Sequence, residues 1–267
     1  MTLLHTADTL KSCCAALYEE PVVRALLGDV FHPGGLRTTD QLGRMLGLSD
    51  DDRVLDVACG PARSAAHLAE QFGCRVAGID YSLRLLAEAR ARREDLWYVG
   101  GDAEGLPFAG ASFDAVVIEC LLCLCPDKSA AVREMARVLR PGGRLGVADL
   151  ALERPLPSGM SEVVAWAGCL AGACATDGYR DLIRAAEFVD VTVEDASWAL
   201  AELVEDLGRK LFLLNVAEHL GKISSLPMSI DMVNAYLQAA RQWIANGQAR
   251  YLLLTARRSA GHIRAIA

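Results

Sequence analysis

Short continuous apolar runs, separated by stretches with helical spacing, organise most of the chain. Residues 54–58, 75–79, 97–99, 115–118 and 144–150 are such runs, and their lack of alternation predicts strands buried on both faces. Between them, residues 65–72, 83–92 and 129–139 repeat apolar positions at helical spacing, the last ending at Arg140-Pro141-Gly142-Gly143. Strands alternating with helices predict an α/β domain with a doubly wound, mostly parallel sheet. Residues 179–187 add a helix and 189–193 a strand. Residues 251–255 supply a last strand, reached after a long helical excursion over 197–246. The sheet is then seven-stranded, and the excursion lies beside the carboxyl ends of its strands if the last two strands pair antiparallel. Upstream, residues 38–46 predict a helix opened by Thr38, with Gln41 three positions on as a capping box. Four regions follow: a helical N-terminal lid (1–47), a core (48–195), a helical insertion or cap (196–248), and the last strand with a frayed tail (249–267).

The loops at the carboxyl ends of the strands hold the candidate chemistry. In "VLDVACGPAR" the first strand runs into a loop of small residues, where a ligand can approach the backbone at Gly60 and meet the free N–H groups of the next helix. Ala58 and Ala62 are small enough for close packing but adopt positive φ only at a cost. In "AGIDYS", Asp80 ends the second strand and can accept hydrogen bonds from both hydroxyls of a ribose. In "GDAEGLPF", Asp102 can receive an adenine amine and Ala103 can offer a backbone N–H. These three loops, in sheet order, suit an adenosine. A dinucleotide oxidoreductase is the competing reading of the same fold, against which the missing G-x-G-x-x-G pattern counts.

Through "VLDVACG", "GIDYS", "GDAEGLPF", "FDAVVIE" and "VLRPGGRL", in that order, the chain resembles the class I S-adenosylmethionine-dependent methyltransferases over roughly residues 50–195. The resemblance implies a Rossmann-like fold and S-adenosylmethionine as cofactor. It implies that Asp56, Ala58, Gly60, Asp80, Tyr81, Asp102, Ala103 and Glu119 line the cofactor site, with Asp56 orienting the loop or the methionine end.

The acceptor must be sought elsewhere, and the nine cysteines are the other chemical signal. Free cysteine is a common core residue, and that reading suits Cys59, Cys74, Cys123 and Cys125. No two separated C-x-x-C pairs occur, which argues against structural zinc. Three thiolates also suit a thiophilic centre with a free lone pair, such as trivalent arsenic. A second, narrower resemblance points the same way. "TLKSCCA", "ECLLCLCPDK" and "CLAGA" are similar to the cysteine motifs of arsenite methyltransferases, with Cys13 or Cys14, Cys120 and Cys169 at the corresponding points. It implies that Cys14 or Cys13, Cys120 and Cys169 bind As(III) and aim its lone pair at the cofactor methyl without a general base. A thiol reductant such as glutathione or thioredoxin would be a partner. Glu119 and Cys123 stand where that family has asparagine. Two other readings stay open: a small-molecule O-, N- or C-methyltransferase whose excursion over 197–246 forms an apolar acceptor pocket, and a non-catalytic thiol sensor for a soft metal.

Composition narrows the rest. The 267 residues are 52% hydrophobic, and 27 Lys plus Arg against 34 Asp plus Glu leave a net charge of −7, which offers no cationic field for nucleic acid. No basic start followed by an apolar run and no membrane-length apolar stretch occurs, so a cytoplasmic protein with reduced thiols is expected. The five histidines are scattered with none placed near the sheet loops, although His32 in "DVFHPGG" can line the lid. Trp166 is expected to pack in the core.

Overall fold

The computed structural model describes residues 7–155, 169–219 and 230–260. Helices α1 (Ala7–Glu19), α2 (Pro21–Leu27) and α3 (Leu36–Leu46) precede β1 (Arg53–Val57). Then follow α4 (Arg63–Phe72), β2 (Arg75–Asp80), α5 (Leu83–Arg92), β3 (Trp97–Gly100), β4 (Phe113–Glu119), α6 (Lys128–Val138), β5 (Leu139–Leu152), α7 (Thr176–Ala185) and β6 (Phe188–Asp195). The helical excursion is α8 (Ser197–His219) and α9 (Ile230–Ala245), and β7 (Ala249–Arg258) ends the sheet. Trp166 and the segment 261–267 lie outside the described residues.

The sheet is seven-stranded, in the order β3-β2-β1-β4-β5-β7-β6. Strands β3 to β5 pair in parallel, and β7 runs antiparallel between β5 and β6. Antiparallel pairing turns the end of β6 toward the same edge as the ends of β1 to β5, so α8 and α9 sit over the carboxyl ends of the strands. Both faces are covered: Leu55, Val57, Val116 and Ile118 pack in one core, and Val54, Ala115 and Val117 in the other. This double burial is why the strands read as unbroken apolar runs.

Two local expectations are corrected. Thr38 does not open its helix: Gly35 is the N-cap residue, and the Thr38 hydroxyl donates backward to the carbonyls of Pro33 and Gly35, each at 2.9 Å. The Gly34-Gly35 pair, with φ of 78° and 55°, makes the turn that starts the helix two residues earlier. The Arg140-Pro141-Gly142-Gly143 stretch lies within β5, which begins at Leu139, where its pairing with β4 shifts register. Side chains cap two other helices: the Ser82 hydroxyl accepts from Leu85 N at 3.0 Å, and the Asp127 carboxylate from Ala130 N at 2.8 Å. No helix among the described residues is long and apolar enough to cross a membrane.

Candidate active site

The loop after β1 is shaped by four residues in the left-handed region: Ala58 (φ 63°), Gly60 (52°) and Ala62 (60°) here, and Cys120 (52°) at the end of β4 facing them. The alanines adopt the conformation that sequence made costly. Backbone N–H groups of Ala58 and Cys59 donate to Ile79 O at 2.8 and 3.0 Å, which ties the loop to β2. Asp80 completes the tie, accepting from Gly60 N at 2.7 Å and Ser82 N at 2.8 Å, and it is 8% exposed. Asp102 accepts from Glu104 N at 2.9 Å and from the Lys11 ammonium at 2.6 Å. Lys11 also meets Glu104 at 2.6 Å. Asp80, Tyr81, Asp102, Ala103, Ala58 and Gly60 all line one cleft of about 880 Å³, with Tyr81 exposed at its rim. Helix α1 covers the cleft, fixed by Lys11 at one end and by Glu19, which accepts from the Ser82 hydroxyl at 2.6 Å, at the other.

A smaller compartment of about 360 Å³ opens from this cleft at Ala58, Gly60, Phe31 and Glu119. Here His32 Nε2 lies 3.1 Å from the Glu119 carboxylate, both side chains being almost fully buried. The Thr39 hydroxyl bonds Glu119 at 3.0 Å, and Ser64 joins the same group. Burial alone would raise the Glu119 carboxyl, but the His32 charge and these hydrogen bonds outweigh it and hold the group below the usual carboxylate range. Burial works against the His32 charge too, yet Glu119, the Pro33 carbonyl and Asp56 together raise the imidazole above its ordinary value. Asp56 is pushed up, first by burial and then by repulsion from Glu119, and its Oδ2 has no hydrogen-bond partner. A histidine therefore does sit among the sheet loops, contrary to the sequence reading. Pro-Gly-Gly directly after it, which forces a sharp turn, was the available signal.

The thiols gather on the other side. Cys169 Sγ lies 3.4 Å from the Tyr18 hydroxyl and within hydrogen-bond reach of Cys120 and Cys123. Those S–H donors and the Tyr18 O–H stabilise a negative charge on Cys169 and hold its thiol below the ordinary value, whereas Cys120 and Cys123 are pushed up. Cys120 also reaches Tyr251 Oη at 3.8 Å. Cys123, expected as core packing, is thus part of the cluster. Glycine makes this possible, since a Cβ on Gly172 would overlap the Cys123 carbonyl. Cys14 lines the cleft, with its thiol pushed up to about 11 by burial, while Cys13 is exposed. Among the described residues, no group of three or more His, Cys, Asp or Glu side chains has a metal-holding arrangement.

Beyond the thiols lies a cavity of about 1260 Å³ under α8 and α9, walled by Leu200, Val204, Leu207, Leu237, Ala240 and Trp243. Tyr18, Phe31 and Cys120 line both this cavity and the cleft, so the two spaces meet at those three side chains. The Tyr18 and Phe31 rings pack 5.3 Å apart at the junction.

Residues 55–147 match the family described as "Methyltransferase domain". A demethylmenaquinone methyltransferase of Beutenbergia cavernae is 48% identical over 104 residues, 39% of this chain and 43% of that protein. The methyltransferase GfsG of Streptomyces halstedii is 36% identical over 187 residues, 66% of this chain and 63% of that protein. The chain thus spans less than two thirds of these curated relatives. Among solved structures, phosphoethanolamine N-methyltransferase 2 of Haemonchus contortus, in complex with S-adenosyl-L-methionine, superposes with a TM-score of 0.73 at 20% identity, covering 95% of this chain and 60% of that one. The [4+2]-cyclase SpnF superposes with a TM-score of 0.72 at 23% identity, covering 96% of this chain and 98% of that one. These structural likenesses are of fold, and the expected Rossmann-like, mostly parallel seven-stranded architecture stands.

Proposed function

We propose, for a chain that carries a class I methyltransferase domain over residues 55–147, that it transfers a methyl group from S-adenosylmethionine to a small apolar organic molecule held under α8 and α9. The observation that carries this reading is the meeting, at Tyr18, Phe31 and Cys120, of a cleft edged by Asp80 and Asp102 and a larger apolar cavity. When bound, the cofactor supplies an electrophilic methyl carbon on a sulfonium. In this reading Asp80 would take the ribose hydroxyls, Ala103 and Asp102 the adenine with Lys11 as competitor for the Asp102 carboxylate, and Gly60 would allow close backbone approach. Asp56, with a buried oxygen lacking a partner, and Glu119 face the space for an ammonium group. Tyr81 closes the rim and Ala58 shapes the wall.

Methyl transfer is an in-line displacement, so the protein contributes alignment and removal of the acceptor's proton. Tyr18 Oη sits at the junction, where it can hold an acceptor hydroxyl. Cys169, whose thiol the surrounding S–H and O–H donors hold below its ordinary value, would take the proton of an acceptor hydroxyl held at Tyr18, leaving that oxygen free for the methyl group the cofactor would supply. The Beutenbergia cavernae relative carries an organic substrate, demethylmenaquinone, in its name. SpnF, a cyclase on the same fold, makes turnover the needed measurement.

Trivalent arsenic is the second reading, favoured by one observation: Cys120 and Cys169 approach one another at the junction with Cys14 on the cleft wall. In that reading these thiolates hold arsenite, and glutathione or thioredoxin keeps them reduced. The test is S-adenosylhomocysteine release with naphthoquinols and phenols, or with arsenite plus glutathione, against a blank without acceptor. Turnover with the organic set, lowered at least tenfold by Cys169→Ser with cofactor binding unchanged, is the expected result. Turnover that needs arsenite and vanishes in both Cys120→Ser and Cys169→Ser would replace it with the arsenic reading.

A further inference from the structure

We propose that His32 is a positioning residue for the amino-acid end of the cofactor: held in place by the glycine turn after it, its imidazolium fixes the Glu119 carboxylate beside Asp56, so that both carboxylates face one ammonium group. The inference rests on the cofactor assignment above and goes beyond it, because His32 comes from the connection between α2 and α3 and reaches the sheet loops only through the fold.

The geometry points to a doubly protonated ring. His32 Nδ1 lies 3.3 Å from the Pro33 carbonyl and 3.4 Å from Thr38 Oγ1. The Thr38 hydroxyl spends its own proton on the carbonyls of Pro33 and Gly35, so it accepts from the ring. Nε2 lies 3.1 Å from Glu119 and 3.2 Å from the Ser64 hydroxyl. Both ring nitrogens thus face acceptors, which a neutral imidazole cannot satisfy. The ring is 8% exposed, and its position is set by a turn that only glycine allows. Gly34 has φ 78°, and a Cβ there would come within 2.9 Å of Ala199 on α8.

Charge balance gives the ring its task. Two carboxylates share the compartment, Asp56 from β1 and Glu119 from β4, with Asp29 and Arg63 also on its wall. Alone, two buried carboxylates this close would not both ionise. With the imidazolium present, Glu119 is ionised and oriented by three donors: His32, Thr39 and Ser64. The remaining demand for positive charge falls at the Asp56 oxygen that has no partner. An incoming ammonium group meets that demand. Without the ring, one carboxylate is held protonated and the ammonium loses a counter-charge.

The test compares two probes that share the adenosine thioether and differ in the amino-acid arm: S-adenosylhomocysteine and 5′-methylthioadenosine. Their dissociation constants are measured by calorimetry on the wild type, His32→Gln and His32→Asn. The expected result is a loss of about tenfold or more for S-adenosylhomocysteine, with methylthioadenosine unchanged within about twofold. Equal weakening of both probes would mean that the ring only supports the loop, and no change in either would mean that it has no role; each overturns the inference. If the His32 variants fail to fold, Ser64→Ala serves instead, because it removes one hydroxyl from Glu119 and His32 and leaves the glycine turn intact. It must weaken S-adenosylhomocysteine alone, and any other pattern overturns the inference. A wild type that binds neither probe would overturn the cofactor assignment itself, which separates the two failures.

Discussion

At the scale of single residues, strain and charge concentrate where the sheet loops converge. Ala58 holds φ 63° while exposed to solvent, so its methyl group contributes no burial to offset the left-handed conformation. That conformation costs about 1–2 kcal/mol for a non-glycine residue, against up to ~1 kcal/mol gained through the unfolded chain. Ala58→Gly is therefore expected to raise stability by about 0.5 kcal/mol, read as a higher urea midpoint at unchanged slope. The His32–Glu119 pair predicts a pH dependence of definite sign. The histidine is raised in the folded state, so its contribution is fully present below the ordinary value of about 6.5 and is lost as pH rises through the higher folded value. The stability difference between wild type and His32→Gln should shrink as pH rises over that window, and a difference that grows would contradict the pairing. Asp56, Gly60, Asp80, Asp102, Glu119 and Cys120 were legible in sequence because each ends a strand or lies in the loop after one, and Cys169 was legible only through the cysteine motif. Thr39, Ser64, Lys11 and Tyr18 were not, because they come from helices whose docking over the sheet is a tertiary fact, and His32, on the connection between α2 and α3, was legible only as a residue of the lid.

At the scale of elements, α1 behaves as a strap. Its two anchors, Lys11 to Asp102 and Glu104, and Glu19 to Ser82, lie on either side of the cleft. Lys11 occupies the carboxylate that sequence assigned to the adenine, a competition that no spacing rule could show. The partners are partly exposed, so Lys11→Met should cost only about 1 kcal/mol of global stability. Cleavage within α1 by limited proteolysis should nevertheless speed up several-fold and become insensitive to salt. Helix α3 shows how a local pattern misleads: Thr38 and Gln41 match a capping box, but Gly34-Gly35 turns the chain earlier, and Gln41 bonds Glu194 on β6 instead. Strand cores were easier to read, because two buried faces leave an apolar run that nothing else in a short segment produces.

At the scale of the whole molecule, the division between the nucleoside-type cleft and the proposed acceptor cavity follows the division between the parallel strands and the excursion that precedes β7. The excursion was legible as helical, but not the cavity of about 1260 Å³ beneath it, whose size depends on how α8 and α9 pack. Filling that cavity tests its role: Ala240→Phe should raise the acceptor KM about tenfold while S-adenosylhomocysteine affinity stays within about twofold. The position of β7 has one more consequence, for the order of assembly. Strand β6 has β7 as its neighbour in the sheet, and β5 has an open edge until β7 arrives from about fifty residues beyond β6. On a ribosome, or in refolding, strands β1 to β5 can pair and shape the nucleoside cleft while β6 and the two helices above it still lack a support. The half of the molecule that would choose the substrate is thus built last, on a half already able to grip the methyl donor.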